Sequence, residues 1–209
     1  MAKVIKGNFP AMQKKMGKPP TKKTPAAAYQ LKISLLYCAP LIWRRIQVPG
    51  SMTLSRFHDV IQLCMGWTDS HLHQFMIGIR SYGPANVGDH WGAVKDLDES
   101  KFTLNELESD IRQRCMYIYD FGDYWEHEIR IESVAAPGEK PLKHPVLLAG
   151  EHACPPEDIG GPPGFETFLE AISAPGNENY DEMRDWYGSD FDPDFFEIDK
   201  INKVLRKIK

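Results

Sequence analysis

Apolar and polar positions alternate along YQLKISLLY (29–37). Leu31, Ile33, Leu35 and Tyr37 fall on one side, Gln30, Lys32 and Ser34 on the other. A period of two is that of a half-buried strand. Pro40 interrupts the pattern and Trp43 to Val48 reads as a second strand, so the two predict a hairpin with a short loop. Pro49-Gly50 ends that strand. Ser51 or Thr53 can then cap a helix whose Leu54, Phe57, Ile61 and Cys64 or Met65 share one face, closed by Gly66.

Alternation returns from Leu72 to Ile79. His71, His73, Phe75, Ile77 and Ile79 lie to one side, Leu72, Gln74 and Met76 to the other. Residues 81–100 are rich in Gly, Asp and turn formers and predict a long loop, and Thr103 to Leu107 a single helical turn. CMYIYDF and WEHEIRIESV predict two strands joined by a tight hairpin around Gly122-Asp123. Proline and glycine crowd residues 137–164, which predicts an irregular connector. Three helices should finish the chain. Phe165, Phe168, Leu169 and Ile172 mark the first, and Tyr180 to Tyr187 the second. The third has Asp192 as cap, Pro193 at its first position, and Phe195, Ile198, Ile201, Leu205 and Ile208 inward. Strands early and helices late point to a single α+β domain: a mostly antiparallel sheet packed with helices, with a helical C-terminal part.

Charge changes the picture at one end. Residues 1–27 hold seven of the 25 basic residues and no acidic one, leaving 18 basic against 29 acidic groups, close to −11, in residues 28–209. The lysine-rich segment has little to bury and is expected to be a disordered basic tail, with the fold in residues 28–209. Through it a weak nucleic-acid contact is conceivable; the acidic body is a poor match for a phosphate backbone. The opening MAKVIKGNFP lacks the apolar stretch of a secretory leader, and no apolar run approaches membrane-spanning length, so a cytoplasmic protein without membrane contact is expected. Cys38, Cys64, Cys115 and Cys154 form no C-x-x-C pair, which fits a reducing setting.

Three strings stand out together: HLHQF (71–75), YIYDFGDYWEHEI (117–129) and CPPEDIGGPPGF (154–165). With the closing FDPDFFEIDKIN (191–202), they resemble the plasmid pRiA4b ORF-3-like family over roughly residues 29–207. The resemblance implies a compact α+β domain found in bacteria and archaea. Some members carry the label of a transposon passenger or resolvase, which suggests a link to mobile elements. A resolvase needs a serine nucleophile among arginines and a basic DNA-binding helix pair. The pairs Arg44-Arg45 and Arg112, Arg114 are too sparse for that.

The strongest site candidates are the histidine strands. In an H-x-H strand His71 and His73 share a face, and His127 is in phase with Trp125, Ile129 and Ile131. Asp120 and Asp123 lie just before His127, and Cys154, Glu157 and Asp158 could join from the connector. Mixtures of imidazole and carboxylate bind divalent metals and perform acid/base chemistry. The candidate catalytic set is His73, Asp123, His127, Glu157 and Asp158, and the candidate metal ligands are His71, His73, His127, Asp120 and Cys154. The competing explanation is structural, since histidines among aromatics on a sheet are commonly satisfied core residues, and the spacing matches no H-E-x-x-H pattern.

Other motifs fail on inspection. Gly160-Gly161 precedes a helix, as in phosphate cradles, but no lysine follows and two acids precede, so a stiff structural loop is expected. Asp190, Asp192 and Asp194 have calcium-loop spacing, yet Phe195 and Ile201 stand where an EF-hand needs Gly and Glu. With neither G-x-G-x-x-G nor G-x-x-x-x-G-K-[ST], no nucleotide cofactor is expected; a divalent metal is the one cofactor the residues leave open. The leading expectation is a non-enzymatic interaction or structural domain with a protein partner. The first alternative is a metal-dependent or acid/base enzyme. The second is a nucleic-acid-associated accessory protein.

Overall fold

A computed structural model describes residues 28–85, 96–135, 142–173, 180–187 and 191–208. The basic tail and Asp190 therefore lie outside the described residues. The chain builds one eight-stranded sheet in the order β5-β4-β3-β6-β7-β1-β2-β8. All neighbouring pairs are antiparallel except β4 and β5.

The strands are β1 (Ala28–Leu35), β2 (Trp43–Pro49), β3 (His73–Ile77), β4 (Arg80–Gly83), β5 (Leu97–Asp98), β6 (Cys115–Tyr119), β7 (Trp125–Val134) and β8 (Val146–Glu151). Helices α1 (Leu54–Met65), α2 (Leu104–Gln113), α3 (Gly161–Ser173), α4 (Tyr180–Tyr187) and α5 (Ile198–Leu205) complete the fold. The predicted α+β single domain, with its helical C-terminal part, is what forms.

Period-two strands bury one face. Leu31, Ile33, Leu35, Ile46, Val48, Trp125, His127 and Ile129 turn inward. Their neighbours make a polar ladder outside, where Arg45 pairs with Glu132 and Gln30 Nε2 donates to the same carboxylate at 2.9 Å. Helix α1 covers the inner face with Leu54, Phe57, Val60, Ile61 and Cys64. Thr53 caps it by accepting from the Arg56 amide at 3.3 Å, and Gly66 ends it with φ 96°. Both ends lie where the sequence puts them.

Several expectations need correction. The run 72–79 is not one strand: β3 stops at Ile77 and the chain turns back into β4, leaving Ile79 fully exposed instead of inward. The supposed loop 81–100 contains most of β4, β5 and a 3-10 turn over Glu99–Lys101, with residues 86–95 outside the described set. The single turn at Thr103 is a ten-residue helix, opened by a capping box in which Glu106 Oε2 accepts from the Thr103 amide at 2.8 Å. Leu104, Leu107 and Ile111 give it a narrow buried stripe.

Further corrections fall in the second half. The β6–β7 connection is a five-residue loop, Asp120–Tyr124, and no two-residue hairpin forms at Gly122-Asp123. Its left-handed positions are Asp120 (φ 56°) and Tyr124 (φ 58°). The connector 137–164 holds β8, which pairs with β2 at the sheet edge, and the first turn of α3. The last helix starts at Ile198. Asp192 caps only a turn, closed by Phe195 N–H to Asp192 O at 3.1 Å, and Phe195 is exposed.

Arg44 shows how β8 is held. It is 2 % exposed and, among the described residues, meets four carbonyls and no carboxylate. Nε donates to Cys64 O (2.8 Å), Nη1 to Trp43 O (2.8 Å) and Glu151 O (2.7 Å), and Nη2 to His152 O (2.8 Å). Its guanidinium centre sits 4.4 Å from the centroid of the Phe196 ring. Cys64 lies in the last turn of α1, where the carbonyl end of the helix dipole favours a cation. A buried arginine is no DNA contact.

Candidate functional site

The strand registers fix where the loops meet. His73 pairs with Tyr119, Tyr119 with Trp125, Leu35 with His127, and Trp43 with Glu151. The segments 36–42, 66–72, 120–124 and 152–160 therefore all leave the sheet at the same end. All three strings singled out in the sequence contribute to it.

The first group there is a carboxylate cluster. Glu157 Oε1 accepts from the Tyr119 hydroxyl at 2.5 Å, and Oε2 from the Thr68 hydroxyl (2.5 Å) and amide (3.2 Å). Burial pushes the Glu157 carboxyl up, but these donors outweigh it and hold the group below the usual carboxylate range. The Tyr119 hydroxyl is pushed up by burial and by its carboxylate partner. Asp123 Oδ2 accepts from the Gly160 amide at 3.1 Å. Gly161 follows with φ 71°, and a Cβ there would collide with the Asp123 carbonyl. Thus the proline loop is stiff and is pinned to the β6–β7 loop.

His71 stands between those two loops. Its Nδ1 lies 3.7 Å from Asp120 Oδ2 and its Nε2 lies 3.2 Å from Asp158 Oδ1. Nε2 is sealed from solvent and, among the described residues, makes no hydrogen bond, so Asp158 lies near it without donor alignment.

One layer deeper, His58 and His73 stack face to face, centroids 3.5 Å apart and 6° from parallel. His73 Nε2 donates to Glu99 Oε2 at 2.8 Å, both side chains being 5 % exposed. His58 Nε2 donates to Asp69 Oδ1 at 2.9 Å, and its Nδ1 meets the Tyr117 hydroxyl at 2.8 Å. Gln62 closes the circuit, giving a hydrogen bond to Tyr117 Oη (3.0 Å) and taking one from the Asp69 amide (3.0 Å). Burial lowers the His58 pKa, and the neighbouring His73 lowers it further, against the pull of Asp69.

His127 is fully buried. Nδ1 faces two carbonyl oxygens, Tyr117 O at 3.2 Å and Trp125 O at 3.1 Å, so the proton sits on Nδ1. Among the described residues Nε2 has no hydrogen-bond partner, and the ring packs at right angles to Trp67. Burial drives the His127 pKa down to about 4, helped by the charge on Arg44. The Tyr117 ring lies between it and His73, 5.3 Å from one and 5.8 Å from the other.

The structure therefore divides the candidates. His71, Asp120 and Asp158 come together, with ligand atoms within 4.8 Å of one another. Asp123 and Glu157 are near them but are held by other partners. His73 and His127 are sealed inward, against the expectation that an enzyme site would place them in a common solvent-reachable cleft. Cys154 joins neither of the ligand groups found among the described residues, and burial pushes its thiol up. Sequence reasoning missed His58, although it falls four residues after Leu54 on the buried stripe of α1. Glu99, Thr68 and Tyr119 carried no local signal for their partners.

Fold and loop end together define a class: a single α+β domain whose inner sheet face is sealed by a histidine and tyrosine network and whose loops gather carboxylates at one end. The chain belongs to the plasmid pRiA4b ORF-3-like family, whose model matches residues 27–200. It is 38% identical over 183 residues to "Uncharacterized protein y4hQ" of Sinorhizobium fredii (strain NBRC 101917 / NGR234), covering 86% of this chain and 91% of that one. It also resembles the crystal structure of a protein of unknown function, MM3350, from Methanosarcina mazei Go1. There the TM-score is 0.72 and the identity 33%, over 83% of this chain and 96% of the other. Among the described residues no helix is long and apolar enough to cross a membrane.

Proposed function

We propose that the chain is a non-enzymatic interaction domain that binds a protein partner at the loop end of the sheet. One observation carries this: four of the five candidate catalytic groups are already committed. His73 is bound to Glu99, Glu157 to Tyr119 and Thr68, and Asp123 to the Gly160 amide. His127 is neutral and walled in. A general base must reach its substrate proton: His73 and His127 are sealed from it, Asp123 and Glu157 are tied to donors they would have to give up, and Asp158, the fifth candidate, is exposed beside His71.

The same end offers contact area instead. Tyr37 is 75% exposed and Tyr124 48%, with Leu41 and Leu72 also outward. Asp69, Asp123, Glu157 and Asp158 give that surface negative charge, which suits a partner presenting lysine or arginine beside an apolar patch. Large exposed aromatics of this kind are the usual anchors of protein interfaces.

The test compares the full chain with a Tyr37→Ser, Tyr124→Ser double variant. A partner captured from extracts of the source cells is purified and titrated against both. Affinity should fall by at least about tenfold, the loss of two aromatic anchors. Equal affinity for both proteins sinks the proposal. So does turnover of any substrate that Glu157→Gln abolishes.

A further inference from the structure

We propose that His71, Asp120 and Asp158 form a binding site for a first-row divalent cation of the Mn²⁺, Fe²⁺ or Zn²⁺ kind. The site goes beyond the contact surface above and does not depend on it. One nitrogen and two carboxylates from three separate segments present ligand atoms that all lie within 4.8 Å of one another. Ligands about 3 Å apart around one ion are what metal–oxygen and metal–nitrogen bonds of roughly 2.0–2.2 Å produce. The His71 Nε2 to Asp158 Oδ1 distance of 3.2 Å already fits.

The surroundings of Asp120 and His71 support the assignment. The Asp120 side chain is 10% exposed, and its Oδ1 takes the Gly122 amide at 2.8 Å. Among the described residues nothing donates a hydrogen bond to its Oδ2, and His71 Nδ1 lies 3.7 Å from it. His71 Nε2 is sealed and, among the described residues, without a hydrogen bond. A sealed imidazole nitrogen without a partner carries a desolvation cost that a cation removes, and the Asp120 oxygen beside it, with no donor of its own, is free to share that ion. No lysine or arginine among the described residues pairs with Asp120, Asp123, Glu157 or Asp158, so the loop end is a local excess of negative charge.

Mixed nitrogen and carboxylate donors favour the first-row ions over calcium. With three protein ligands, water fills the remaining positions. The metal would tie the H-x-H segment, the β6–β7 loop and the proline loop at one point.

The second histidine group, His58, Asp69 and His73, is the rival and fails on geometry. Its rings are stacked within 6° of parallel, so their in-plane lone pairs run side by side and do not converge. Both Nε2 atoms already donate to carboxylates, and His58 Nδ1 already takes the Tyr117 hydroxyl.

The experiment is calorimetric titration of the chelator-stripped full chain with Mn²⁺ and with Zn²⁺, on wild type and on Asp120→Asn, Asp158→Asn and Asp69→Asn. Asparagine tolerates the left-handed backbone of positions 69, 120 and 158 (φ 57°, 56° and 60°), so each variant should fold, which circular dichroism checks. Wild type should bind one ion. Affinity should drop by at least about tenfold in Asp120→Asn and Asp158→Asn, the scale of losing even an outer partner of a metal site, and stay unchanged in Asp69→Asn. No binding by wild type up to millimolar metal overturns the assignment. Unchanged binding in folded Asp120→Asn and Asp158→Asn, or loss only in Asp69→Asn, does so too.

Discussion

Acid should weaken this fold through His127, and the size of the effect follows from its surroundings. The neutral ring gives its Nδ1 proton to two strand carbonyls, while Nε2 faces packed side chains with no acceptor. Protonation would place a charge there beside Arg44 and without solvent, which is why the pKa falls to about 4. In the unfolded chain the same group titrates near 6.5. Because the folded value is depressed, the unfolded state takes up the proton first as pH falls. The contribution of neutral His127 is therefore complete above about pH 6.5, declines as pH drops, and is gone once pH passes below about 4. The gap between about 4 and about 6.5 corresponds to about 3 kcal/mol, a large fraction of the stability of an ordinary domain. The assay is urea unfolding at a series of pH values on wild type and His127→Gln, which keeps an N–H donor but does not titrate. Gln should lower stability at neutral pH and flatten the pH dependence by about 3 kcal/mol between about pH 7 and about pH 4. An identical pH slope in the two proteins would refute the assignment.

Three further outcomes are expected. Arg44→Lys should destabilise by about 3 kcal/mol or more in denaturant unfolding, because one ammonium cannot serve four carbonyls spread over three segments. Gly161→Ala should cost about 1–3 kcal/mol and detach the proline loop from Asp123, visible as faster amide exchange at Gly160, since position 161 combines a left-handed φ with the Asp123 carbonyl. The full chain should bind duplex DNA only weakly, through its seven N-terminal lysines, with affinity falling steeply with salt, and residues 28–209 should not bind at all. DNA binding retained by the truncated chain would overturn that expectation.

What was legible in the sequence follows from where the physical signal is local. Strands β1, β2 and β7 and helix α1 announce themselves because each buries a regular stripe, and Thr53 and Gly66 mark the helix ends. Strand β8 does not, because VLLAGE lies between proline-rich stretches and its place is set by pairing with β2 about a hundred residues earlier. Helix α2 shows in the sequence as a shorter element than it is, since only Leu104, Leu107 and Ile111 are buried among polar neighbours. The same limit applies at the loop end. The proline loop's glycines and acids are visible as a string, whereas the attachment of Glu157 to Thr68 and Tyr119 is a long-range fact. His73 offered an imidazole; that its carboxylate would be Glu99, beyond a 10-residue stretch outside the described set, had no sequence marker.

The cation lodged under β2 limits how the chain can be divided. Glu151 and His152 supply two of the four oxygens around Arg44, and they arrive only with the last strand. A fragment stopping near residue 135 would keep the guanidinium in the interior while removing half its shell, and would also bare β2 as an open sheet edge. Such a piece should aggregate. Early and late portions of this polypeptide must therefore become native in one cooperative event, and neither is a separable module.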